Sequence, residues 1–305
     1  MSSQSLRNFI ILAMKGFLMG TANVIPGVSG GTMALILGIY EELINAIRSI
    51  NLKFVRRITN FNIKEALSSI SWPFLLPVCL GVLLATFSLA EVLSWLLDRY
   101  PVIVWSFFFG LIVSSVITVS RVIKQWRIPT IVAIAVGTIT AYGLFGVIPV
   151  STPNAPWFIF VSGFIAICAM ILPGISGAYI LVLLGKYHYI LKALNNKDFF
   201  TLFIIGVGAL VGLISFAQIL GWLLKRYHDL TMAILIGLMC GSLRKIWPWK
   251  ETVTTFIDSH GKEIPSLQSN IIPSSFTSEV VCALLFMLTG ILVVWGLDLW
   301  VRKKG

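Results

Sequence analysis

Long apolar segments recur along almost the whole chain, and they restrict it to a fold that is solvated by lipid. A helix needs roughly 20 apolar residues to cross a bilayer. Apolar residues make up 57% of the 305 residues and charged residues only 11%, whereas soluble domains carry about 25% charged residues. The sequence therefore predicts an all-α polytopic membrane protein. The apolar segments lie near 9–25, 28–47, 72–97, 101–120, 129–150, 157–172, 176–194, 199–224, 229–247 and 279–301.

The remaining composition argues against several other classes of protein. The net charge of +11 lies in short loops between apolar segments, which is typical of cytoplasmic loops rather than of nucleic-acid binding. The four cysteines lie inside apolar segments without a CxxC pair, and no histidine has a second ligand at metal-binding spacing. We therefore predict no metal site, no disulfide and no cofactor. The first apolar segment runs on without a clear cleavage site, which favours a membrane element over a signal peptide.

Two motifs recur in the same order, which indicates an internal repeat. PGVSG at 26–30 returns as PGISG at 173–177, and WLLDRY at 95–100 returns as WLLKRY at 222–227. The second offset is the smaller because the first half has the longer linker. We predict repeats at 1–151 and 152–305 that form one membrane domain. Each repeat would contain a helical hairpin broken at Pro-Gly, followed by three transmembrane helices.

The number of crossings predicts that the two repeats have inverted topology. Each half crosses the membrane an odd number of times, whether its hairpin re-enters or spans fully. With a cytoplasmic N-terminus, the cytoplasmic segments carry the excess of Lys and Arg, as expected for an inner-membrane protein. Both termini would then be cytoplasmic. The outer side would hold the long polar loop at about 248–278.

The two Pro-Gly breaks are the candidate binding site. Proline disfavours helix before it, and non-helical backbone at membrane depth persists where it lines a cavity or is buried in protein. The helix that follows each break offers unpaired N–H groups to an anion, and paired broken helices in inverted repeats indicate a transporter site. The alternative is that the breaks are only tight loops between spanning helices. The predicted break residues are Pro26, Gly27, Pro173 and Gly174, and the predicted phosphate-binding residues are Asn23, Ser29, Gly30, Gly31, Thr32, Ser176 and Gly177.

Lys15 lies in the otherwise apolar arm that precedes the first break. A cation at membrane depth is costly and is usually functional. One interpretation pairs it with the bound phosphate or with Glu41 or Glu42. The other has its side chain reaching back to the cytoplasmic surface.

Three further charged residues are candidates for headgroup contact or ion coupling. Arg99 and Arg226 end equivalent helices on opposite predicted faces. They either anchor the helices at the interface or meet a lipid headgroup in each leaflet. Glu91 aligns with Gln218 in the repeat, and it either carries a coupling proton or remains neutral and hydrogen-bonded.

The first break lies in a segment that resembles the signature of the bacterial polyprenyl-phosphate transporter family. The segment reads KGFLMG at 15–20, ANVIPGVSGGT at 22–32 and GIYE at 38–41, and the resemblance covers essentially the whole chain. It implies a cytoplasmic-membrane protein that translocates undecaprenyl phosphate, the carrier lipid of cell-wall precursors. The expected partner is a polyprenyl-phosphate lipid. A coupling ion, H+ or Na+, and a homo-oligomer are compatible with this interpretation.

Two other functions compete with a lipid transporter. Membrane-embedded polyprenyl-pyrophosphate phosphatases also use broken helices, but with an arginine in a PGxSRSG-like loop. Neither Pro-Gly break here contains an arginine, although phosphoryl transfer depends on cationic stabilisation, and we therefore predict that the protein is not an enzyme. A carrier for a small inorganic anion or another solute would use the same helix N-termini. A side opening to lipid would distinguish a lipid carrier from it.

Overall fold

The computed structural model describes residues 3–24, 29–51, 54, 56, 57, 60, 62–257, 263–273 and 275–302. Among these residues, the chain is helical apart from one β-hairpin. The helices of the first half are α1 (Ser3–Val24), α2 (Gly30–Ile36), α3 (Tyr40–Arg48), α4 (Ile63–Ser68), α5 (Trp72–Arg99), α6 (Pro101–Ser120) and α7 (Ile128–Leu144). The second half contains α8 (Pro156–Ile171), α9 (Gly177–Leu183), α10 (Tyr187–Asn195), α11 (Phe199–Arg226), α12 (His228–Ser242), β1 (Lys250–Ile257), β2 (Glu263–Asn270) and α13 (Ser278–Arg302).

The helices have the length and surface of membrane segments. Within the described chain, α5, α6, α11 and α13 are long and apolar enough to cross a bilayer, and α7, α8 and α12 are shorter apolar helices. Large apolar side chains such as Phe87 and Phe203 are 83% and 70% exposed. A water-soluble protein does not leave so much apolar surface open. The predicted multi-pass helical membrane protein is confirmed.

Helices of equal length occupy corresponding positions in the two halves. The helices α2 and α9 have 7 residues each, α3 and α10 have 9, and α5 and α11 have 28. The apolar segments at 28–47 and 176–194 are each divided by a glycine rather than forming one arm. Gly38 and Gly185 have φ values of 66° and 64°, a left-handed conformation that ends the short helix before each of them.

The close contacts between the long helices also recur in corresponding positions. A Cβ added at Gly81 of α5 would lie 2.0 Å from the Ala13 carbonyl oxygen of α1. A Cβ added at Gly208 of α11 would lie 2.1 Å from the Phe160 carbonyl oxygen of α8. Gly81 and Gly208 are separated by as many residues in the sequence as the two WLL motifs are. Ala13 and Phe160 are separated by as many residues as the two Pro-Gly motifs are. Glycine is required at both crossings because the backbones touch there.

The remaining helix pairs join one half to the other. A Cβ at Gly110 of α6 would meet the Met287 carbonyl of α13 at 1.9 Å, and one at Gly237 of α12 would meet the Ile134 carbonyl of α7 at 2.3 Å. The helices α6 and α12 correspond in the repeat, and so do α7 and α13. Helix α6 of the first half therefore packs against α13, the last helix of the second half. In the same way, α12 of the second half packs against α7, the last helix of the first half.

The polar segment predicted as a long outer loop folds into an antiparallel β-hairpin. Lys250 of β1 lies opposite Asn270 of β2. The Asn270 side-chain amide donates to the Arg244 carbonyl at 2.9 Å, and the Trp247 indole N–H donates to the Ile271 carbonyl at 2.8 Å. These bonds hold the base of the hairpin against the turn that follows α12.

Candidate functional site

The second break is fully described, and its backbone leaves the helix at Leu172. Helix α8 ends at Ile171, Leu172 is extended with φ −69° and ψ 134°, and Gly174 has φ +83°. A Cβ at Gly174 would lie 3.0 Å from both the Leu238 carbonyl oxygen and the Ser242 hydroxyl. Glycine is therefore needed at 174 for its backbone conformation and for its close packing on α12.

Ser29 of the first half lies directly on this second break. Its hydroxyl oxygen is 3.1 Å from the carbonyl oxygens of Met170 and of Leu172, to either of which its single proton donates. The same oxygen accepts from the Gly31 N–H at 3.1 Å and so caps α2. Ser29 is only 2% exposed. Ser29, which follows the first predicted break in the sequence, thus contacts the second break in the interior of the molecule.

Two more side chains of the first half bind the same stretch of backbone. The Tyr40 hydroxyl donates to the Ile171 carbonyl at 3.3 Å, and the Gly174 N–H donates to the Thr32 hydroxyl at 2.9 Å. Both side chains are almost fully buried. We call the contact of Ser29, Thr32 and Tyr40 with residues 170–174 the break junction.

The N-terminus of α2 is closed in this arrangement. The Gly30 N–H donates to the Asn23 side-chain oxygen at 2.7 Å, the Gly31 N–H donates to Ser29, and the Thr32 N–H donates to the Ser29 carbonyl at 3.0 Å. These N–H groups already have protein acceptors. Pro26 and Gly27, the predicted turn residues of this break, lie outside the described residues.

The N-terminus of α9 is more open than that of α2. Ser176 occupies the N-cap position with φ −97° and ψ 131°, but within the described chain its side chain makes no capping hydrogen bond. Ser176 is half-buried, and Gly177 beside it is buried. The backbone N–H groups that begin α9 are therefore the ones that an incoming anion would find without a side-chain cap.

Lys15 lies at the opposite end of α2 from Ser29. Its ammonium group donates to the Leu37 carbonyl at 3.0 Å, just beyond the C-terminus of that short helix. A cation there stabilises the unpaired carbonyls and the negative end of the helix dipole. The corresponding carbonyl in the second half, that of Leu184, accepts from the Thr152 hydroxyl.

The other predicted charged residues lie away from the break junction. Arg99 is exposed and lines a cavity of about 250 Å³ with Glu279, whereas the exposed Arg226 lies 5.9 Å from the ring of Tyr227. Glu91 is exposed on α5. The structure does not bring these three side chains together.

Glu41 takes part in a contact that sequence reasoning missed. His228 at the start of α12 lies between two carboxylates, with Nε2 3.0 Å from Glu41 Oε1 and Nδ1 3.2 Å from Asp229 Oδ1. The other Asp229 oxygen accepts from the Gln125 N–H at 2.9 Å. Only the protonated imidazole donates to both carboxylates. Glu41 and His228 lie in different halves of the sequence, so no local pattern signals the contact.

Sequence reasoning also missed a cationic pocket beside the second break. Arg244, Lys245 and Lys250 line a cavity of about 420 Å³ between the turn after α12 and the β-hairpin. Their clustering around two tryptophans at 247 and 249 is a signal that would have singled them out.

Comparison with known proteins places the geometry in context. Residues 19–264 match the family described as undecaprenyl phosphate translocase-like. A Vibrio cholerae protein named polyprenyl-phosphate transporter is 41% identical over 302 residues, which cover 97% of this chain and 98% of that protein. A Staphylococcus aureus protein of the same name is 33% identical over 256 residues, 77% of this chain and 85% of that protein. No solved structure gives a significant match.

Proposed function

Because this chain belongs to the undecaprenyl phosphate translocase-like family, we propose that it is a transporter that moves undecaprenyl phosphate between the leaflets of the cytoplasmic membrane. The observation that carries the proposal is the 41% identity, over nearly the whole chain, to a protein named polyprenyl-phosphate transporter. The family predicted from the segment around the first break is confirmed. The proposed role is the recycling of the carrier lipid of cell-wall synthesis.

The break junction is the proposed phosphate site. The open N-terminus of α9, with Ser176 and Gly177, receives the phosphate oxygens. Ser29 and Thr32 then exchange their bonds to residues 170–174 for bonds to the phosphate, with Asn23, Gly30 and Gly31 behind them. Breaking the junction separates the two halves while the polyprenyl chain stays in lipid. Lys15 has a supporting role in this proposal, because it holds the C-terminus of α2.

Inverted repeats with re-entrant hairpins are the proposed architecture for this movement. Equal helix lengths, the recurring glycine contacts and the exchange of helix pairs between halves support a two-fold relation. Both termini are proposed to be cytoplasmic. Rocking of one repeat against the other then exposes the same phosphate site to each leaflet in turn.

Glu41 is proposed to act in ion coupling rather than in headgroup binding. Its carboxylate lies against His228, which joins α3 to α12 across the two halves. Glu91, exposed on α5, and the exposed Arg99 and Arg226 are proposed to contact the membrane interface.

The test is translocation by purified protein in liposomes that contain undecaprenyl phosphate. Exposure of the headgroup in each leaflet is read with a headgroup-specific probe, with and without an imposed gradient of H+ or Na+. We expect faster translocation by the wild type than by protein-free liposomes. The Ser29→Ala/Ser176→Ala variant should be at least about tenfold slower, because the first substitution removes a hydroxyl from the break junction and the second removes one from the N-terminus of α9.

Ser88→Ala/Ser215→Ala is the matched control. These serines occupy corresponding positions of α5 and α11, and each hydroxyl donates within its own helix to the carbonyl four residues back. This control should translocate at the wild-type rate, and thermal unfolding of each variant checks that the fold persists. Release of inorganic phosphate from undecaprenyl pyrophosphate would instead indicate a phosphatase. Transport of inorganic anions without movement of the lipid would indicate a small-anion carrier.

A further inference from the structure

The cationic pocket is large enough for a phosphate headgroup. Its volume of about 420 Å³ lies within the range of roughly 300–1,000 Å³ that is common for small-ligand sites. No Asp or Glu is among its described lining residues. These residues are Tyr142, Phe145, Arg244, Lys245, Lys250, Val253, Gln268, Ser269 and Asn270.

Aromatic rings and backbone carbonyls hold the three cations in place without neutralising them. The Arg244 guanidinium donates to the Tyr142 carbonyl at 2.8 Å and lies 4.3 Å from the ring of Tyr142. Lys250 donates to the Lys245 carbonyl and lies 4.4 Å from the ring of Trp105. In the described part of the chain, no carboxylate forms an ion pair with any of the three. Within the described residues, three basic side chains thus surround one cavity without a carboxylate partner.

Burial makes this concentration of charge costly. Desolvation lowers the pKa of Lys245, and desolvation together with the charge of Lys245 lowers the pKa of Lys250 to about 7. Both lysines lie outside the membrane-spanning helices. An anion in the cavity would favour their charged forms and offset the repulsion. The structure therefore contains cations for which an anionic ligand is the natural counter-charge.

The other walls of the pocket fit the two ends of a prenyl phosphate. Gln268, Ser269 and Asn270 provide neutral hydrogen-bonding groups along the edge of β2, suited to phosphate oxygens. Phe145 and Val253 provide apolar surface on other walls of the cavity, suited to the first isoprene unit.

Tyr179 connects the pocket with the second break. Its ring centroid lies 4.9 Å from that of Phe145 and 5.2 Å from the Lys245 ammonium, and its hydroxyl donates to the Leu144 carbonyl at 3.4 Å. Tyr179 is also the third residue of α9. The ring of Tyr179 thus lies between the pocket and the N-terminus of α9.

The pocket has no counterpart in the first half. The spacing of the two WLL motifs aligns Arg244, Lys245 and Lys250 with three uncharged residues, namely Ile117, Thr118 and Ile123. The turn after α6 carries Arg121, Lys124 and Arg127 at other positions, and Arg121 lies 3.4 Å from the Asp298 carboxylate. The arrangement of three cations around one cavity is therefore not repeated position by position.

We propose that the pocket of Arg244, Lys245 and Lys250 binds the phosphate monoester of a prenyl phosphate on the outer face, before the headgroup passes Tyr179 to the break junction. The inference rests on the proposed transport of undecaprenyl phosphate. Lysine and arginine are the side chains that recognise phosphate most strongly. The same chemistry would also bind free phosphate, so the experiment must separate the two sources.

The test is calorimetric titration of the full-length protein in detergent with farnesyl phosphate, farnesol and inorganic phosphate. Lys245→Gln/Lys250→Gln should bind farnesyl phosphate at least about tenfold more weakly than the wild type. Lys245→Arg/Lys250→Arg should retain most of the affinity because it retains the charge. The matched control is Lys192→Gln/Lys197→Gln, which removes two exposed lysines and should bind like the wild type.

The outcomes separate the pocket from the transport function. Equal affinity of the wild type and the double glutamine variant would overturn the pocket, while translocation by the wild type would leave the proposed function standing. Lysine-dependent binding of farnesyl phosphate without lipid translocation would keep the pocket and overturn the function. Inorganic phosphate that binds as tightly as farnesyl phosphate would assign the pocket to free phosphate and overturn the lipid proposal. If the double variant does not fold, Lys245→Gln alone makes the same test.

Discussion

Lys250 is the residue whose charge changes closest to neutral pH. Its pKa of about 7 means that it is protonated at pH 6 and mostly neutral at pH 8.5 in the empty pocket, whereas arginine stays charged throughout. We predict that the affinity of the wild type for farnesyl phosphate, divided by that of Lys250→Arg, falls as pH rises over this range. Titration of both proteins at pH 6, 7 and 8.5 measures the ratio.

The ratio removes the effect of ligand ionisation, which is the same for both proteins. Arg244 is present in both and stays charged. Lys245 is also present in both, but its charge and that of residue 250 influence each other, so both titrations are repeated in the Lys245→Gln background. Because a bound anion favours the charged lysine, the wild type should also take up protons when it binds the ligand at pH 8. Titrations in buffers of different ionisation enthalpy measure this uptake. A ratio that stays constant from pH 6 to 8.5 would mean that Lys250 does not titrate in the pocket.

Several glycines line the crossings of α5 with α1 and of α11 with α8, and among them Gly81 and Gly208 lie closest to the facing backbone. An added Cβ at Gly81 or Gly208 would lie about 2 Å from a backbone oxygen, so the helices would have to separate. We predict that Gly81→Ala and Gly208→Ala each destabilise the protein by about 1–3 kcal/mol, the usual cost of overpacking. Thermal unfolding in detergent measures the effect.

Gly206→Ala is the control for this pair of helices. It lies on α11 close to Gly208, but a Cβ there meets no atom within 4 Å, and alanine favours the helix. It should be neutral or stabilising. Comparable losses at Gly206 and Gly208 would show that helix packing is not the cause.

Short motifs and long-range contacts differ in what the sequence reveals about them. The second break is visible because Pro173 and Gly174 interrupt an apolar segment, and the lengths of α5, α6, α11 and α13 follow from their apolar runs. The bonds from Ser29 to Met170 and Leu172 depend on how the halves pack, and no local pattern contains that information. The β-hairpin was missed because its polar strands lack a clear alternation of apolar residues.

The exchange of helix pairs packs the two halves of the chain against each other. The contacts of α6 with α13 and of α7 with α12 bury surfaces that each half would expose if it were alone. Arg244 and Lys245, from the second half, form a pocket with Tyr142 and Phe145 from the first. The cationic pocket and the break junction therefore each contain residues from both halves.

The inverted relation of the halves can be tested with one pair of equivalent residues. Arg99 and Arg226 are exposed and are the last residues of the equivalent helices α5 and α11. With Cys79, Cys168, Cys240 and Cys282 replaced by alanine, we predict that Arg99→Cys reacts with a membrane-impermeant maleimide in intact cells. Arg226→Cys should react only after permeabilisation.

Two further positions fix the orientation independently of the repeat. Ser269→Cys, at the cationic pocket, should be labelled from outside, and Lys124→Cys, in the turn before α7, only after permeabilisation. Labelling of both Arg99→Cys and Arg226→Cys from the same side would contradict inverted repeats. Labelling of Lys124→Cys but not of Ser269→Cys in intact cells would place the pocket on the cytoplasmic side. The pocket would then bind the lipid headgroup after translocation and not before it.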